Sequence, residues 1–158
     1  MSVSIAATID GEVVAGAVAD VLRGEVFTAT RGEGARRDSE TIVADDPGIL
    51  SQALIGTGFS YDADVRQREA TVVGRVLPSC RDIRCMGSAA LNLCWVGTGR
   101  LNGFYERDIQ TYDYAAGALI AAEAGATVEL PADNGLDLTI AAPPSIFGDL
   151  HDLVANFD

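Results

Sequence analysis

Asp10-Gly11 separates two runs of β-branched and small apolar residues, Ser4-Ile9 and Glu12-Val18, and this dipeptide constrains the chain more than any other feature. Both positions tolerate the positive φ that a two-residue turn demands, so the flanking runs are expected to pair as an antiparallel hairpin. Gly24 marks a second turn, Val21 to Thr30 reads as a further strand, and Arg31-Gly32-Glu33-Gly34 reads as another turn. The first third therefore predicts an antiparallel meander. Its first strand begins at residue 1, which leaves one edge without a partner and gives the expectation that further chain precedes it.

Beyond Asp46-Pro47-Gly48 the period changes. Ile49 to Gln52 reads as a short helical turn and Ala53-Leu54-Ile55 as a buried strand. Glu69 to Leu77 reads as a helix ended by Pro78, and a short strand follows near Ile83. Ala89 to Val96 is a mostly apolar helix stopped by Gly97-Thr98-Gly99, and Leu101 to Glu106 a strand. Asp113 to Ala124 is an Ala-rich helix closed by Gly125. Thr127 to Leu130 and Leu138 to Ala141 are strands, and Pro144 to Val154 a last helix. Strands alternating with helices predict an α/β fold, in which the meander (1–44) is followed by an α/β sheet covered by helices (45–158). At 158 residues the chain is expected to form a single domain around its own core.

Acidic residues outnumber basic ones 23 to 11, the net charge is −12, and every basic residue is arginine. That balance repels a nucleic-acid backbone. With no lysine, an anionic substrate must be met by bound cations or backbone N–H groups. Cys80, Cys85 and Cys94 match neither a paired redox motif nor a zinc site and read as reduced, buried thiols. The N-terminus has no basic flank or long apolar run, so the expected location is cytoplasmic, with no membrane partner.

The chemistry concentrates between Arg84 and Gly117. Gly87-Ser88 precedes a helix and offers backbone N–H groups to a ligand oxygen, although a serine N-cap with a glycine turn is the commoner use of that pair. Asp113 opens the Ala-rich helix, where its carboxylate either caps the helix or binds a hard cation. Glu106 closes a strand seven residues earlier, so the intervening loop could bring both carboxylates to one mouth.

The ordered set Gly87-Ser88-Ala89-Ala90, Phe104-Tyr105-Glu106 and Tyr112-Asp113-Tyr114-Ala115-Ala116-Gly117 resembles the second signature region of the inositol monophosphatase family, its bacterial inositol-1-monophosphatase subgroup above all. Ser2 to Ala6, Val14 to Val18, Gly56 to Phe59, Gly99 to Gly103 and Ala121 to Gly125 are similar to family segments in the same order. The resemblance implies the layered sugar-phosphatase fold and a magnesium-dependent phosphomonoesterase acting on inositol 1-phosphate or a related sugar phosphate, in a homodimer. It implies that Asp113 binds a magnesium ion, that Glu106 contacts substrate hydroxyls, and that Gly87, Ser88 and Ala89 line the substrate with Asp113.

Tyr112 stands where the family has tryptophan, and Gln110 where some members have histidine. The family's first metal-binding signature, Asp-Pro-Ile/Leu-Asp-Gly-Thr, has no counterpart here. Asp46-Pro47-Gly48 lacks the second aspartate and the threonine, and Asp10-Gly11 lacks the proline. The chain therefore resembles the C-terminal portion of the family, and no complete catalytic set is expected within it. Alternatives are an inactive truncated module that engages another subunit, or a family member acting on fructose bisphosphate, histidinol phosphate or a nucleotide 3′-phosphate.

Overall fold

The computed structural model describes residues 1–131 and 135–156. Five antiparallel strands form the first sheet in sequential order: β1 (Ser2–Ile9), β2 (Glu12–Asp20), β3 (Glu25–Thr30), β4 (Ala35–Arg37) and β5 (Glu40–Ile42). The Asp10-Gly11 turn forms as expected, with φ of 52° and 86°. Strand β3 starts at Glu25 rather than Val21. The Asp20 carboxylate accepts the Leu22 and Arg23 N–H groups at 3.2 Å, and the Gly24 N–H bonds the Asp20 carbonyl, which folds residues 20–24 into a turn. Strands β4 and β5 span three residues each, too few for alternation to show in the sequence.

The second sheet contains β6 (Leu54–Thr57), β7 (Asp82–Cys85), β8 (Gly103–Arg107), β9 (Thr127–Glu129) and β10 (Leu138–Ala142), in the order β7-β6-β8-β10-β9. Strand β6 runs parallel to β7 and β8, and β10 runs antiparallel to β8 and β9. Among the described residues, four helices pack with the sheets: α1 (Ala63–Val76), α2 (Ala89–Gly97), α3 (Thr111–Glu123) and α4 (Pro144–Ala155). Helix α1 starts one and a half turns before the expected Glu69. Asp62 caps it by accepting the Asp64 and Val65 N–H groups, a contribution of about 1 kcal/mol that its polar first turn does not advertise as periodicity. A 3-10 turn, Leu77–Ser79, carries Pro78 past the helix end.

Side chains of the second sheet alternate between two cores. Phe104 and Ala141 point to the side where α2 and α3 lie against the first sheet through Val18 and Phe27, whereas Ile55, Tyr105 and Ile140 point to α1 and α4 through Val72, Val76, Ile146 and Leu150. The result is four layers: the meander, α2 with α3, the second sheet, then α1 with α4. Arg100 fastens the first two layers by donating to both Glu25 oxygens, at 2.7 and 2.5 Å. Of the three cysteines only Cys94 is buried. Cys85 is exposed and Cys80 half-buried, which corrects the expectation for those two, since both sit at or beside β7, the edge of its sheet.

Candidate functional site

The two helices of the inner layer approach through small residues. A Cβ on Gly117 of α3 would stand 2.9 Å from the Leu93 Cβ and 3.0 Å from the Ala90 carbonyl oxygen of α2. With glycine there, the two helices close onto one another and their N-terminal turns open on the same space. That space is a cavity of 830 Å³ lined by Gly87, Ser88 and Ala89 before α2, by Glu106 at the end of β8 and by Asp113 in the first turn of α3. All five residues singled out from the sequence thus meet at one site.

Each has a local structural role. Gly87 takes φ +78°, which favours glycine. Ser88 caps α2 by accepting the Leu91 N–H at 3.3 Å, and its hydroxyl also meets that of Ser2 on β1 at 3.0 Å. Asp113 sits at the third position of α3 and accepts the Gln110 N–H through Oδ2 at 3.0 Å, which closes the N-terminus of the helix. The two alternatives for this carboxylate are therefore compatible: one oxygen caps, and the residue still lines the cavity. Tyr112 stands at the rim, three-quarters exposed.

Glu106 is the most perturbed group in the cavity. Burial first, then the negative charges of Asp113 and Glu69, push its carboxyl up to about 7. A carboxyl with that proton affinity can accept or donate a hydrogen bond to a hydroxyl near neutral pH. Gly58, Phe59 and Tyr61 line the same cavity as Glu106.

A magnesium ion takes hard oxygen donors. Asp113 uses Oδ2 in the cap and has Oδ1 without a hydrogen bond among the described residues, and the repulsion that Glu106 feels from Asp113 is the field a cation would relieve. Among the described residues no group of three acidic, histidine or cysteine side chains is assembled, so the donor set fits one side of a metal site and does not complete it.

Gly58 and Glu69 were not singled out from the sequence. The sign of Glu69 was there: it shares the buried stripe of α1 with Val72 and Val76, where a carboxylate requires a purpose.

A model of the inositol monophosphatase family matches residues 1–152. The inositol-1-monophosphatase of Mycobacterium leprae is 46% identical over 159 residues, which cover 92% of this chain and 53% of that protein. A protein of Escherichia coli named Nus factor SuhB is 39% identical over 130 residues, covering 80% of this chain and 48% of its own length. Among solved structures, Mycobacterium tuberculosis SuhB superposes with a TM-score of 0.90 at 44% identity, over 99% of this chain and 64% of that one. The chain spans about half the length of the curated relatives it matches.

Proposed function

The chain belongs to the inositol monophosphatase family, and on that premise we propose that it forms the polyol-binding wall of a magnesium-dependent phosphomonoesterase acting on inositol 1-phosphate or a related sugar phosphate. The observation that carries the reading is the convergence of Glu106, Asp113 and the α2 N-terminus on one cavity. Glu106 takes the substrate hydroxyls. Gly87, Ser88 and Ala89 close the pocket against the ring. Asp113 would hold magnesium, which supplies activation of a water and neutralisation of the leaving oxygen. With no lysine in the chain and a net charge of −12, a phosphate group is met by such a cation, by backbone N–H groups or by an arginine such as Arg23, which lines the same cavity.

On this reading the protein is a cytoplasmic homodimer, with residues 1–44 and 45–158 acting as parts of one domain. No helix among the described residues is long and apolar enough to cross a membrane. The charge disfavours nucleic acid as a partner.

The test is calorimetric titration of the purified chain with inositol 1-phosphate in millimolar magnesium, alongside an assay of phosphate release. Binding that Glu106→Gln weakens about tenfold supports the reading, that being the loss of one hydrogen bond to a charged group. Phosphate release is expected to be marginal, because the ligand set is incomplete among the described residues. Absence of binding overturns the reading.

A further inference from the structure

The wall facing Glu106 is held closer than any side chain permits. A Cβ placed on Gly58 would lie 2.1 Å from Oε1, 2.3 Å from Cδ and 2.4 Å from Oε2 of Glu106. Those separations are far inside van der Waals contact, so glycine is a steric requirement for this position of the carboxylate. Conformation does not explain the glycine, because Gly58 is absent from the residues with positive φ. An alanine would suit the backbone and fail only for space.

The loop after Gly58 is also prevented from withdrawing. Thr57 is locked in register against Tyr105, the residue before Glu106, by the parallel pairing of β6 with β8. Two residues beyond Gly58, the Ser60 N–H donates to both oxygens of the buried Glu69, at 3.3 and 3.0 Å, and the Ser60 carbonyl accepts from Arg66 at 2.9 Å. Both anchors of Ser60 belong to α1. Strand register on one side and a buried carboxylate on the other therefore fix the wall, and the flexible end of the Glu106 side chain is the part free to move.

We propose that Gly58 is a positioning residue: lacking a side chain, on a loop pinned by Glu69, it admits the Glu106 carboxylate to the place from which it meets a substrate hydroxyl. The inference rests on the reading of Glu106 as the hydroxyl-binding group. Substitution at Gly58 displaces Glu106 rather than unfolding the chain, because the atoms in conflict are at the end of a long side chain. Glu106→Asp, one methylene shorter, makes room for the new methyl group.

The experiment compares Gly58→Ala, Glu106→Asp and the double variant in the full chain. The side-chain position of Glu106 is read from crystal structures, affinity for inositol 1-phosphate from calorimetry, and folding from the thermal midpoint. Gly58→Ala is expected to leave the midpoint within a few degrees, to move the Glu106 carboxylate, and to weaken binding about tenfold. The double variant is expected to bind no more weakly than either single one, the non-additivity of two changes acting on one carboxylate. An unmoved Glu106 in Gly58→Ala, or losses that multiply to about a hundredfold in the double variant, overturns the proposal. If the unsubstituted chain fails to bind inositol 1-phosphate, the polyol reading falls. The Glu106 position in Gly58→Ala still decides the steric claim.

Discussion

Gly16 of β2 lies so close to Ala116 of α3 that a Cβ on the glycine would stand 3.0 Å from the Ala116 Cα and carbonyl oxygen and 3.2 Å from its Cβ. The neighbouring Gly117 makes the equivalent approach to α2 through Leu93 and Ala90. Helix α3 is thus wedged between the meander and α2 by two successive small residues. The Ala115-Ala116-Gly117 run after Asp113 is a packing requirement, and the placement of Asp113 at the cavity follows from it. The conflict at Gly16 is with backbone, which cannot rotate aside.

Gly16→Ala is therefore expected to destabilise the chain by about 2 kcal/mol, the usual cost of overpacking a tight contact. Thermal unfolding should show a midpoint lower by roughly 4–8 °C for a chain of this length. Gly74→Ala is the control. Gly74 lies inside α1 with nothing within 4 Å of the added atom, so alanine there should stabilise by about 0.5–1 kcal/mol. Equal effects at the two sites would refute the steric account of Gly16.

The pH dependence at Glu106 has a definite sign. Its folded carboxyl titrates near 7 and the ordinary value is 4.5, so between those pH values the folded chain holds a proton that the unfolded chain has released. Stability from this group is present below 4.5, falls as pH rises towards 7 and is constant above. Glu106→Gln removes the dependence. Urea unfolding at pH 5 and pH 8 should show the variant gaining about 1–3 kcal/mol on the parent at the higher pH, a figure discounted for partial exposure. Parallel pH profiles for the two proteins would exclude the shift.

What could be read from the sequence depended on how local its cause is. Asp10-Gly11 announces its hairpin because the turn chemistry lies in two adjacent residues. The start of β3 escapes a hydropathy reading because the turn before it is built by the Asp20 carboxylate reaching forward to Leu22 and Arg23, which no hydropathy pattern records. Helix α1 was shortened at its N-terminus because Asp62, rather than an apolar stripe, defines its beginning. Glu106 and Asp113 were legible as a pair through their short spacing and the motif around them. Gly58 was not, since its meaning lies in the Glu106 side chain, distant in sequence and brought alongside only by the pairing of β6 with β8.

The outer face of the meander carries the last prediction. Val3, Ile5 and Ile9 of β1 and Val26 of β3 are 50%, 65%, 62% and 42% exposed, and Val3 and Ile5 stand opposite Ala19 and Ala17 on the sheet face away from α3. Strand β1 is also an edge, eight residues long. A long edge strand with an apolar outer face is prone to association. Sedimentation velocity at about 100 μM should show dimers or larger species, within the range where such surfaces associate. Val3→Thr with Ile5→Lys should shift the chain to monomer without lowering its thermal midpoint, because neither side chain contributes to a core. If the parent chain is monomeric at that concentration, or the paired substitution leaves its assembly unchanged, this face is not what drives association.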